Sequence, residues 1–133
     1  MPNKPILCLD FDGVLHSYTS GWKGADVIPN PPVDGAIAFL YDAIKYFDVQ
    51  IFSSRSNQDG GIEAMETWLY KWEAVWREEQ PAVPRTCLAL CIKFPKEKPP
   101  AFLSIDDRAL TFEGVFHNPK DLLTFRPWNR RGV

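Results

Sequence analysis

The sequence predicts an α/β domain built as three layers, with helices packed on a mainly parallel sheet. Two observations lead there. Short apolar runs at residues 6–9, 49–52, 86–92 and 101–105 alternate with stretches of helical periodicity and with Pro or Gly breaks. Acid pairs, Asp10 with Asp12 and Asp106 with Asp107, directly follow the first and last of those runs, at the edge where open parallel sheets bind ligands. With 133 residues the chain suits a single domain over 1–133.

The first run, residues 6–9, is continuously apolar and stops at Asp10, the pattern of a buried central strand rather than a half-exposed one. Residues 16–32 are rich in Ser, Thr, Gly, Asn and Pro but carry Tyr18, Trp22, Val27 and Ile28, which predicts a flap, as a loop or small hairpin, over the first acid pair. Pro31 and Pro32 followed by Asp34 mark a helix start. Ala36, Ile37, Leu40, Tyr41, Ile44 and Phe47 then recur at helical spacing, carrying the helix to about Tyr46.

Residues 49–52 read as a second strand that ends in the polar loop Ser53-Ser54-Arg55-Ser56. After Gly60-Gly61, a stripe of Ile62, Met65, Leu69, Trp72 and Trp76 predicts a helix to about Glu79, with Glu73 among the residues of its polar side. Pro81 and Pro84 end it; residues 86–92 and 101–105 read as a third and fourth strand around a lysine-bearing linker. Residues 110–116 are compatible with one more short strand, and Asn118-Pro119 with a last helical turn. The tail, 126–133, reads as surface.

Composition removes several classes of function. Apolar residues make up 45%, enough for a core, and the net charge of −2 gives no general attraction to nucleic acid or anionic membrane, so nucleic-acid binding is open but not indicated. No apolar run approaches the roughly 18 residues of a membrane span, and residues 5–9 are too short for a signal-peptide core, so a cytoplasmic protein is expected. Cys8, Cys87 and Cys91 read as buried reduced thiols; the last two lack further ligands for zinc.

The chemistry concentrates on the four acids. Crowded carboxylates call for a cation, and hard oxygen donors favour Mg²⁺. Asp10 and Asp12, two apart around the turn at Gly13, are able to share one substrate phosphate, one attacking while the other handles the proton. His16 and His117 read as ordinary polar residues. For Arg55 and Arg108 an ion pair that holds a loop is weighed against contact with a substrate anion, and for Trp22 substrate cover against packing.

Asp10-Phe11-Asp12-Gly13-Val14-Leu15 resembles the first motif of the haloacid dehalogenase (HAD) superfamily, and the likeness continues in order through Ser53, a lysine and Asp106-Asp107. The resemblance implies a Rossmann-like HAD fold and a Mg²⁺-dependent phosphohydrolase working through an aspartyl-phosphate. Asp10 would be nucleophile and metal ligand, and Asp12 general acid/base with its backbone carbonyl on the metal. Ser53, or Ser54 in its place, would bond the phosphoryl group; Lys98, or Lys93 or Lys96, would neutralise it. Asp106 would hold the metal directly or through water, with Asp107 in support. Neither usual insertion point leaves room for a large cap, so the expected substrate is a phosphorylated small molecule or macromolecular end. The alternative is a catalytically silent relative that binds metal or phosphate for regulation.

Overall fold

The computed structural model describes residues 3–83 and 86–130. It is a small α/β fold around a parallel sheet in the order β2-β1-β3, formed by β1 (Ile6–Leu9), β2 (Asp48–Ile51) and β3 (Leu103–Ile105). Leu7, Cys8 and Leu9 of the central strand are buried, as a run without polar alternation requires. The register sets Leu9 opposite Ile51 on one side and Ile105 on the other. The residues that follow, Asp10, Phe52 and Asp106, therefore leave the sheet at the same edge.

Two helices form the connection side of the core. The first, α1 (Ala36–Ala43), turns Ala36, Ile37, Leu40 and Ala43 inward, and turn hydrogen bonds continue it to Phe47. The long α2 (Gly61–Glu78) begins where its stripe begins, and Met65, Trp68 and Leu69 are buried along it. Its first residue must be glycine, because a Cβ there would stand 1.9 Å from the Arg55 carbonyl oxygen. The Tyr41 ring stacks on Trp76 with centroids 4.8 Å apart, joining the two helices.

Several expectations are corrected. Residues 86–92 form no strand: Leu88–Cys91 is a short helix, α3, and only Lys93 bridges the outer edge of β2, opposite Gln50. The cause is Glu73, buried on α2 rather than solvated, whose carboxylate accepts the Leu88 N–H at 2.9 Å and the Tyr41 hydroxyl. That acceptor satisfies a free N–H of the helix start and draws Leu88 into the core. Of the three cysteines, Cys8 is buried but Cys91 is exposed.

β3 is exposed along its whole length rather than buried, because residues 108–118 pass by without a strand or helix before the brief α4 (Pro119–Leu122). The final 3₁₀ turn (Trp128–Arg130) is tied down: the Trp128 indole N–H donates to the Gly13 carbonyl at 2.7 Å, and the Asn129 amide reaches the Ser17 carbonyl. The expected free tail is thus a strap up to residue 130; residues 131–133 lie outside the described ones. No helix among the described residues is long and apolar enough to cross a membrane.

Candidate active site

The sheet edge collects the acids. Asp10 continues the ladder for one residue, its N–H donating to the Ile105 carbonyl at 3.0 Å, and the chain then folds over. The Phe11 carbonyl accepts the N–H groups of Leu15 and His16, a closed turn that Gly13 makes possible with φ of 83°. A Cβ on Gly13 would lie 2.2 Å from Asp107 Oδ2, so the turn and the last acid pair are in close contact.

Carboxylate oxygens of Asp10, Asp106 and Asp107 lie within 4.8 Å of one another. Burial, then a hydrogen bond with Asp107, push the Asp10 carboxyl up to about 8 against the downward pull of the Phe11 N–H, and the charge of Asp106 adds a lesser upward push. Burial raises Asp107 too, although its bond with Asp10 pulls the other way. Two carboxyl groups bonded to each other share a proton, and burial favours that protonated form for both. The site cannot hold all its negative charge bare.

The hydroxyl of Ser53 lies in the same place. Ser53 is buried where β2 ends, its Oγ accepting the Arg55 N–H at 2.9 Å, which leaves the hydroxyl proton free to be donated elsewhere. A cleft of about 180 Å³ is lined by Cys8, Asp10, Ser53, Ser54, Lys98 and Asp106 among others. Among the three lysine choices, Lys98 lines the cleft, whereas Lys93 pairs with Asp48 at 3.1 Å, at the beginning of β2. Larger hollows, such as one of about 640 Å³ beside Lys4 and Phe47, gather no comparable set of acids and donors.

Asp12 stands apart from the other three acids. Its carboxylate takes Arg55 Nε at 3.0 and 3.2 Å, Arg55 Nη2 at 3.1 Å and His16 Nδ1 at 2.8 Å. The Asn30 N–H donates to His16 Nε2, which places the His16 proton on Nδ1, toward Asp12. Arg55 is 0% exposed, and its Nη1 donates to the carbonyls of Gly24, Ala25 and Val27 in the flap. Trp22 covers the guanidinium at 4.7 Å and is itself 45% exposed. Between ion pair and substrate contact, Arg55 is engaged in the ion pair, and neither it nor Trp22 lines the cleft.

His16, read from the sequence as an ordinary polar residue, is 0% exposed and holds Asp12. Its only signal is a position four residues after Asp12, a spacing with no fixed meaning in a turn. No family model, curated protein or solved structure matches this chain.

Proposed function

We propose that the protein is a Mg²⁺-dependent phosphohydrolase of the HAD kind, a capless Rossmann-like domain of three layers that works through an aspartyl-phosphate. The observation that carries the reading is the convergence of Asp10, Ser53, Lys98 and Asp106 on one cleft, from beyond the ends of β1, β2 and β3 and the segment before β3. No substrate among phosphorylated small molecules and macromolecular ends is singled out by this cleft.

The donor set fits the metal. Asp10, Asp106 and Asp107 bring hard oxygens together, and the proton forced between Asp10 and Asp107 marks a shortage of positive charge that a divalent ion would relieve. Bound by these residues, Mg²⁺ would supply charge neutralisation for the phosphoryl oxygens.

The chain's own groups divide the remaining work. An Asp10 oxygen attacks phosphorus while the bond to the leaving oxygen breaks and its electron pair departs with that oxygen. Asp12, protonated at that stage, gives its proton to the leaving group. Ser53 donates to a phosphoryl oxygen, and Lys98 offsets the charge spread over the others. Water then attacks the same phosphorus, its proton passes to Asp12, and the bond to Asp10 breaks. One water is consumed and inorganic phosphate leaves.

Hydrolysis of a panel of aryl phosphates, nucleotides, sugar phosphates, phosphopeptides and phosphorylated oligonucleotides, with and without Mg²⁺, tests the reading. Mg²⁺-stimulated turnover that disappears in Asp10→Asn is expected. Full activity in purified Asp10→Asn protein would remove Asp10 as nucleophile.

A further inference from the structure

We infer that Arg55 is a positioning residue for the water step: it aims the Asp12 carboxylate and, through the same guanidinium, holds the flap shut around it. The inference rests on the phosphohydrolase reading above.

A fully buried arginine needs a reason, since removing a charge from water is costly unless every donor is used. Here one guanidinium serves two masters. Nε and Nη2 grip both oxygens of Asp12, and Nη1 reaches the flap carbonyls of Gly24, Ala25 and Val27 at 2.7 to 3.2 Å. Trp22 roofs the group from the flap side and Phe11 lies near its other flank, with the guanidinium carbon 6.0 Å from the ring centroid. The backbone of Arg55 is equally constrained, between the Ser53 hydroxyl and the glycine that starts α2.

Every contact to the Asp12 oxygens from Arg55 and His16 comes from a donor, so their positions are set by those two side chains. With a leaving group that needs no proton, the step left to Asp12 is deprotonation of the attacking water. Oδ1 already has three donors and Oδ2 one, which leaves Oδ2 as the oxygen with room to take the proton of the attacking water. Lysine keeps the charge but has no planar fork to fix both oxygens and the carbonyls together.

The test is Arg55→Lys assayed with ³²P-labelled substrate and acid quench, alongside p-nitrophenyl phosphate, whose good leaving group needs no proton donor. Steady-state turnover is expected to fall about a hundredfold, the scale of a misplaced general base. Formation of labelled protein should persist as a burst, so covalent phosphoenzyme should build up at least tenfold above the wild-type level. Trp22→Ala, a change at a half-exposed position, should give the same build-up at smaller size and keeps the question open to refutation if Arg55→Lys does not fold. Parallel loss of burst and turnover, with no excess of labelled protein in either variant, would overturn the inference and leave Arg55 a purely structural tie. Absence of labelled protein and turnover in the wild type would instead defeat the phosphohydrolase reading itself.

Discussion

Replacing Asp10 with Asn should make the metal-free protein more stable at alkaline pH while ending its chemistry. The folded site raises the Asp10 carboxyl from the ordinary 3.8 to about 8, chiefly by burial and the bond with Asp107. Between those two values the folded protein holds a proton that the unfolded chain has released, so wild-type stability falls as pH rises from about 4, and the full penalty is present above about 8. At roughly 1.36 kcal/mol per unit, the displacement is worth about 6 kcal/mol at most. Water entering the relaxed site lowers this, and about 2 to 3 kcal/mol is the expected gain for Asn at pH 9. The amide can still donate to Asp107 as the protonated acid does, so little difference is expected near pH 4. Urea unfolding of both proteins at pH 4 and pH 9 in a chelator measures the effect, with each pair compared at the same pH so that other titrations cancel. Added Mg²⁺ should then stabilise the wild type and leave Asp10→Asn nearly unmoved. A variant no better than wild type at pH 9 would refute the shared-proton description of the site.

Three further substitutions address the geometry. Gly13→Ala should cost about 1 to 2 kcal/mol from the positive φ alone and, by driving Asp107 aside, should weaken the stabilisation by Mg²⁺, read by thermal melts with and without the ion. Lys98→Ala should lower turnover by about two orders of magnitude, while Lys93→Ala, at the far end of β2, should leave kcat within about twofold; steady-state kinetics on one phosphate substrate separate them.

The elements that could be read from the sequence are those whose pattern is long or uninterrupted. β1 ends where its apolar run meets Asp10, and the stripe from Ile62 to Trp76 locates α2 to within a residue or so. Residues 86–92 could not be assigned in this way, because a short apolar run fits a strand or a buried helical turn equally well. The decision came from Glu73, 15 residues earlier, which supplies an acceptor for Leu88. The exposure of β3 likewise depends on what fails to cover it. In the site, Asp10, Ser53 and Asp106 were legible because Asp10 and Asp106 directly follow strands, Ser53 comes one residue later after β2, and the parallel register levels the strand ends. The surroundings of Asp12 were not legible: its partner Arg55 lies 43 residues away, and the flap carbonyls that complete the contact are backbone atoms with no signature in side-chain identity.

The bond from Trp128 to Gly13 spans 115 residues and ties the turn after Asp10 to the last turn among the described residues. A change in the packing of Trp128 is thereby felt at the turn beside Asp10 and Asp107, although Trp128 is neither acidic nor a residue of the cleft.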